Sequence, residues 1–202
     1  MAGTLGDLKT RIAAETLRTD QTVNIANAIT QAVEFYAPRR FWFNESRATG
    51  VCVPNNEYVA FPAGLRVLDA LFVTVSGVGY PLTARSLAEI EDWAQAVNTA
   101  TQPTDYATYG AQVRLYPKPN SAYALTFIGV FDEAAFVTDA DSNHWTTSAQ
   151  DLICARAKWK LGTILRNDTL VQYGKAEEAE AYDRLIAETT RRTSTGRIAA
   201  SF

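Results

Sequence analysis

The chain has 202 residues, of which 47% are hydrophobic and 20% are charged. These fractions are typical of a globular protein with a core of its own, and they argue against a chain that is disordered throughout. The formal net charge of −3 argues against a general nucleic-acid-binding protein, because such proteins usually carry a basic excess. The charge is also uneven. Residues 48–146 hold ten acidic and four basic side chains, whereas the last twelve residues hold three arginines and no acid, so we expect different neighbours for these regions.

The two cysteines and the N-terminal sequence indicate a protein that stays in the reducing cytosol where it is made. Cys52 and Cys154 are far apart and no CxxC pair is present, so we expect two buried or neutral thiols. Residues 1–17 carry charges at regular intervals, unlike a signal peptide. The longest apolar stretch, around residues 68–75, is far too short to span a membrane.

Two amphipathic helices are predicted at the start of the chain. Thr4–Asp7 matches a capping box, in which a hydroxyl and a carboxylate satisfy free amides of the first helical turn. A second helix is predicted from about residues 20–22, and Pro38 ends it. The apolar stripes of the two helices comprise Leu5, Leu8 and Ile12, followed by Ile25, Ile29, Val33 and Tyr36.

A β-rich block follows from Phe41 to Phe131, where β-branched and aromatic residues are separated by turn signals such as Pro54-Asn55-Asn56. We predict strands near residues 43–53, 57–61, 66–76, 106–109, 112–116 and 122–131. One helix interrupts the block, because Ser86–Glu89 matches a second capping box that leads to Trp93.

Two further helices are predicted near the C-terminus. Ser148–Asp151 matches a third capping box, and the helix that follows is expected to break at Asn167–Asp168. A last helix is predicted from about Thr169 to Thr190, although Gly174 costs it about 1 kcal/mol relative to alanine. Residues 193–202 show no apolar periodicity, so we expect a flexible arm.

These elements indicate an α+β fold. Each helical hairpin is too small to bury its apolar stripe alone, and packing the two hairpins against each other satisfies both. The sequence therefore predicts a four-helix bundle formed by residues 1–38 and 147–192. A β-rich insertion is predicted at 39–146 and a flexible C-terminal arm at 193–202.

Candidate catalytic and metal-binding residues are few. His144 is the only histidine, and its sequence neighbours provide neither a nucleophile nor an acid, so we interpret it as a loop residue. Asp139–Asn143 matches the first ligand positions of a calcium loop, but His144 and Gln150 stand where such a loop has glycine and glutamate. We interpret this segment as a turn that leads into a helix. We expect no catalytic residue, no metal site and no cofactor.

Three groups of charged residues have both a structural and a functional interpretation. Glu89, Glu91 and Asp92 suit acid–base or metal chemistry, but the solvated start of a helix explains them. The basic–aromatic cluster at 39–43 suits core packing, with a protein interface or base stacking as the alternatives. The bases of the helix after residue 150 are assigned to solvent, with a partner or a channel as the alternative. They are Arg156, Lys158, Lys160 and Arg166.

The C-terminal arm is the candidate interface. It combines arginines with apolar residues, and a disordered spacer has little use for a terminal phenylalanine. Such a segment is suited to ordering on a partner, where the arginines meet acids and the phenylalanine fills a pocket. The alternative is a frayed end without a role. The candidate interface residues are Arg191, Arg192, Arg197, Ile198 and Phe202.

Several segments resemble adaptor proteins of tailed bacteriophages, also called head-to-tail connector or neck proteins. The segments are Thr4–Lys9 and residues 28–46, 80–93, 102–119, 145–161 and 190–197, which together extend over nearly the whole chain. Their order carries the resemblance, and no single motif is diagnostic. Pro38 departs from the pattern, in which the second helix continues through charged residues into the aromatics.

The resemblance implies a helical bundle with a β-domain, no catalysis, and a dodecameric ring in the virion neck that is assembled in the host cytoplasm. The bundle and the C-terminal arm are then expected to meet the portal protein, and the β-rich block, 41–131, the tail nozzle or fibres. Genomic DNA is expected to pass through the ring without sequence-specific contact, and no membrane is involved. The alternative function is a small soluble ligand- or calcium-binding module, which rests on Asp139 and Asp141.

Overall fold

The structure, a computed structural model, describes residues 3–97 and 99–193. Within these ranges the fold is α+β, with six helices and two four-stranded sheets. The chain divides into two compact units. One comprises Glu45–Phe131, and the other combines the segments that precede and follow it. Each unit has a hydrophobic core of its own.

Two helices open the chain. Helix α1, Leu5–Thr16, begins at the predicted capping box, where the Asp7 amide donates to the Thr4 hydroxyl at 3.1 Å and the Thr4 amide donates to the Asp7 carboxylate at 3.0 Å. Helix α2, Thr22–Tyr36, ends two residues before Pro38, which has no amide hydrogen with which to continue the helix. Both predicted helices are confirmed.

The described residues of the Glu45–Phe131 unit form eight strands and one helix. The strands are β1 Glu45–Val51, β2 Tyr58–Ala60, β3 Leu65–Val75, β4 Val78–Pro81, β5 Thr83–Ala84, β6 Asp105–Tyr109, β7 Gln112–Tyr116 and β8 Ala124–Phe131, and helix α3, Leu87–Ala96, lies between β5 and β6. Helix α3 begins at the predicted Ser86–Glu89 capping box. Strands β4 and β5 were not predicted, because both are short and fully exposed and so lack the alternation that marks a strand.

The eight strands form two sheets. The first has the order β1-β8-β3-β4 and is antiparallel throughout, while the second has the order β2-β7-β6-β5, with β5 and β6 parallel. Both sheets contribute to one core. Its fully buried members include Leu71, Val73, Leu125 and Phe127 from the first sheet and Val113 and Leu115 from the second.

Three helices follow the Glu45–Phe131 unit along the chain. They are α4 His144–Thr147, α5 Gln150–Ile164 and α6 Asp168–Thr193. The predicted capping box at Ser148–Asp151 is wrong, because α5 begins after Ala149 without a side-chain cap. The box belongs to α4, where Asn143 and Thr146 cap each other's amides. The predicted break near Asn167–Asp168 is confirmed, and α6 runs three residues beyond its predicted end at Thr190.

Helices α1, α2, α5 and α6 all contribute to the core of the helical unit. Its members include Leu8, Ile12, Ile25, Ile29, Leu152, Ile153, Ala181 and Leu185. Phe41, Phe43 and Trp145 belong to the same core. The unit therefore extends to Asn44 and resumes at Asp132, inside the segment 39–146 that the sequence analysis assigns to the insertion.

Helices α5 and α6 approach each other closely at Gly174. A Cβ atom at this position would lie 2.8 Å from the Cβ of Trp159 and 2.9 Å from its amide nitrogen. The close approach explains why a residue with poor helix propensity occupies the interior of a long helix.

Candidate interface residues

The described part of the candidate interface lies at the end of α6. Arg191 and Arg192 occupy its last turn, whereas Arg197, Ile198 and Phe202 lie outside the described residues. The guanidinium of Arg192 lies 3.8 Å from the centroid of the Trp42 ring, and its Nε and Nη2 donate to Glu188 at 2.9 Å and 2.6 Å. Arg192 is thus held against the helical unit at the point where the candidate arm begins.

Trp42 links this end of α6 to the segment after α2. Its backbone amide donates to the hydroxyl of Thr189 at 3.3 Å, and Thr189 in turn donates to the carbonyl of Leu185 at 2.9 Å. Thr189 is buried. The last two turns of α6 are therefore fixed by a hydrogen bond, a cation–π contact and a surface ion pair, which gives the arm a rigid base.

The basic–aromatic cluster at 39–43 has a divided role. Phe41 and Phe43 are buried and stacked, with ring centroids 5.5 Å apart, and both meet the edge of Trp145. The core-packing interpretation is confirmed for these two residues. Arg39 instead lies exposed, with its guanidinium over the rings of Phe35 and Tyr182 at 5.4 Å and 5.7 Å.

The assignment of the α5 bases to solvent is wrong for Arg156 and Lys158, which are both buried. Arg156 donates to Glu178 at 2.6 Å and lies 3.3 Å from the Phe35 ring centroid. Glu178 also accepts hydrogen bonds from the Tyr36 hydroxyl and, at 2.6 Å, from the indole of Trp159. This half-buried carboxylate therefore joins α2, α5 and α6.

Lys158 makes the corresponding link on the other side of α5. Its ammonium donates to Glu15 of α1 at 2.6 Å and to Glu177 of α6. The sequence did not indicate either pair, because Glu15 lies 143 positions and Glu177 lies 19 positions from Lys158. The partners of both buried bases come from neighbouring helices, so these charges hold the helical unit together.

A second chain of ion pairs joins the same helices. Arg11 donates to Glu15 at 2.7 Å and to Asp151 at 2.8 Å, and Arg184 donates to the second Asp151 oxygen at 2.5 Å. The hydrogen bond from Arg11 is the largest effect on Asp151 and holds the pKa of its carboxyl below the ordinary value. Asp151 is therefore ionised well into the acidic range.

His144 is not a loop residue. It is the first residue of α4 and stacks on Phe43 with ring centroids 5.3 Å apart. Its Nδ1 lies 3.0 Å from the carboxylate of Glu133, an acid that the adjacent sequence did not reveal. The pair lies next to the core aromatics.

The carboxylates of the calcium-like segment are engaged in structure. Asp141 accepts from the amides of Val137 and Thr138 at 2.6 Å and 2.7 Å, and these bonds, that from Thr138 being the largest effect, lower its pKa. Asp139 pairs with Lys9 at 2.5 Å, and its carbonyl accepts from the Gly6 amide. The segment therefore forms a turn that covers the start of α1.

The three acids near α3 also differ from one another. Glu89 caps the helix, and the hydrogen bond from Ser86 lowers its pKa. Glu91 pairs with Arg114, which is buried and also approaches Glu57 at 3.4 Å. The side chain of Glu91 is nevertheless 45% exposed, and Asp92 is exposed, so both acids remain accessible to solvent.

Other candidate chemistry is limited. Within residues 3–97 and 99–193, no three His, Cys, Asp or Glu side chains are grouped so that they could hold a metal ion. Cys52 and Cys154 are both buried and free, as predicted, and burial raises the pKa of Cys154 to about 12. None of the helices in the described part of the chain is long and apolar enough to cross a membrane.

Comparisons with known proteins agree with the resemblance seen in the sequence. The family model described as SU10 adaptor protein matches residues 3–200 of the chain. No curated protein matches it.

Proposed function

Because the chain belongs to the SU10 adaptor protein family, a family of phage head-to-tail adaptors, we propose that it forms a ring that docks on the portal and attaches the tail. The observation that carries this proposal is the family match, which extends over almost all of the sequence. The function is structural, and no residue is assigned a catalytic role. The site of action is the neck of the virion.

The ion pairs that join the helices of the helical unit support a structural role. We assign α1, α2, α5 and α6 to a four-helix bundle, with the β-rich block as an insertion. The buried cations of Arg156 and Lys158 tie the helices together through the carboxylates of Glu178 and Glu15, and removing one partner of such a pair is costly. A unit joined in this way keeps its shape when partners pull on it.

The proposed portal contact is made by the bundle and the C-terminal arm. Arg191 and Arg192 lie on the last turn of α6, and the arm that follows carries Arg197, Ile198 and Phe202. The cation–π contact between Arg192 and Trp42 fixes where the arm leaves the helix. Ordering the arm costs roughly 1–2 kcal/mol per residue of backbone freedom. A ring offsets this cost, since each docked arm raises the local concentration of the next.

The β-rich block is assigned to the tail side, where the nozzle or fibre proteins bind. Residues 48–146 carry a net charge of −6, in contrast to the basic C-terminal segment. Four of the ten acids in that range lie at positions 132, 133, 139 and 141, in the helical unit. The β-rich block, 41–131, itself carries a net charge of −2, and this difference in sign from the C-terminal segment suits two different partners. Genomic DNA passes through the ring without sequence-specific contact.

Binding of the purified chain to purified portal protein tests this proposal. A variant that ends at Thr193 retains the Arg192–Trp42 contact and should keep its melting temperature while losing portal binding. The matched control is Asp92→Lys, which changes one exposed charge in the β-rich block and should bind like wild type. If the truncated chain loads portals as well as the full chain does, the arm is not the docking element. If neither chain binds, the head-to-tail role is refuted.

A further inference from the structure

A concave surface on the helical unit has two cations without an acidic partner among the described residues and the exposed ring of Phe35. This cationic pocket has a volume of about 300 Å³ and is lined by residues that include Phe35, Arg39, Lys175 and Tyr182. Phe35 is 44% exposed. Glu178 on the pocket floor is occupied by three donors from the chain itself, so it does not neutralise the rim.

The rim cations have no acidic partner among the described residues. Arg39 makes only cation–π contacts and one long hydrogen bond, 3.4 Å, to the Tyr182 hydroxyl. Lys175 is exposed and lies 5.5 Å from the Trp159 ring centroid. In a chain with a net charge of −3, two cations that lack an acidic partner, beside the exposed ring of Phe35 and the half-buried ring of Tyr182, indicate a surface suited to an acidic and aromatic occupant.

Lys175 and Tyr182 of the pocket lie on α6, and the opposite face of α6 carries an exposed aromatic and an exposed acidic residue. Tyr173 is 69% exposed and, in the part of the chain that the structure describes, has no hydrogen bond or ring contact. Glu180, two helical turns further on, is exposed and is likewise without a partner among those residues. With 3.6 residues per turn, Tyr173 and Glu180 lie on one face of α6, while Lys175 and Tyr182 lie on the other.

We propose that the cationic pocket of one copy receives Tyr173 and Glu180 of a second copy of this chain. Tyr173 packs against Phe35 and Tyr182, and Glu180 pairs with Arg39 and Lys175. Because the two surfaces differ and lie on opposite sides of one helix, the contact is heterologous and repeats from copy to copy. Such a contact closes into a ring when the rotation per copy is a whole fraction of a full turn. The ring is part of the proposed function, and this inference rests on it.

Charge exchange between the two faces tests the contact. Lys175→Glu and Glu180→Lys each place like charges opposite one another, and each should weaken self-association by about ten- to hundredfold. The double variant K175E/E180K restores opposite charges between identical copies and should recover association. Tyr173→Ala should weaken association without a charge change. The matched controls Lys118→Glu and Asp92→Lys alter single charges in the β-rich block and should behave as wild type.

Self-association is measured by sedimentation velocity of the full chain, and by counting the copies on isolated portals. Unchanged circular dichroism and melting temperature establish that each variant folds. The inference is overturned if the single variants associate as wild type does, if the double variant fails to recover, or if wild type self-associates neither alone nor on portals. Portal binding by single copies is scored separately. Its absence with intact, charge-sensitive self-association counts against the head-to-tail role and supports this contact.

Discussion

Substitution of Gly174 by alanine sets helix propensity against helix packing at one position. The added Cβ atom would lie 2.8 Å from the Cβ of Trp159, 2.9 Å from its amide nitrogen and 3.1 Å from the carbonyl oxygen of Ala155. Two of these three neighbours are backbone atoms of α5, so no side-chain rotation relieves the contact. Helices α5 and α6 must separate locally to accept the methyl group.

The two effects have opposite signs and comparable sizes. Alanine is favoured over glycine in a helix interior by about 1 kcal/mol. Overpacking of a close-packed site costs typically about 1–3 kcal/mol, and contact with backbone places Gly174 near the upper end of that range. We therefore expect Gly174→Ala to lower the free energy of unfolding by about 1–2 kcal/mol. For a chain of this size that corresponds to a fall in melting temperature of roughly 2–8 °C.

Urea unfolding followed by circular dichroism at a helix wavelength measures this difference. The matched control is Ala176→Gly at an exposed position of the same helix, which isolates helix propensity and should cost about 1 kcal/mol. If Gly174→Ala is more stable than wild type by the amount that Ala176→Gly loses, propensity alone governs the site. That result would refute the close packing of α5 and α6.

Two further predictions concern the buried charges and the acid stability. Glu178→Ala leaves the guanidinium of Arg156 without its carboxylate and should cost about 3–5 kcal/mol in urea unfolding, whereas the exposed Asp183→Ala should stay within about 0.5 kcal/mol of wild type. Equal effects of the two would contradict the burial of the pair. The hydrogen bond from Arg11 lowers the folded-state pKa of Asp151 below the unfolded value of 3.8. The stabilisation that ionised Asp151 contributes is therefore complete above that value, and it is lost as the pH falls through the lower folded-state pKa. On acidification, the melting temperature of Asp151→Asn should therefore fall less than that of wild type. An identical dependence on pH would exclude this contribution of Asp151 to stability.

Local signals in the sequence predicted the local elements well. The capping boxes at Thr4 and Ser86 involve residues only three positions apart, so their geometry is fixed within one helical turn. Pro38 acts on its own helix in the same way. The Ser148 pattern failed because Asn143, five residues earlier, caps α4 and leaves α5 to begin directly after that short helix.

Long-range pairs could not be predicted in the same way. Lys158 and Glu15 are 143 positions apart, and nothing in the spacing of the α5 bases distinguishes a buried ammonium from a solvated one. Tyr36 and Glu178 are 142 positions apart and meet only because α2 and α6 pack on the same helix. The Glu133 partner of His144 was missed for the same reason, since it precedes α4 by a full loop.

The burial of α5 determines which surfaces remain for partners. Residues Leu152–Lys158 are buried around the whole circumference of the helix, including its two bases. Over this stretch α5 has no face left for a partner, whereas its two ends are exposed at Asp151 and Ile164. The exposed residues used in the contact proposed between copies, Phe35, Arg39 and Tyr173, lie outside this enclosed stretch. In the contact proposed between copies, α6 contributes to both surfaces, with Lys175 and Tyr182 on one side of the helix and Tyr173 and Glu180 on the other, so that identical copies can meet head to tail.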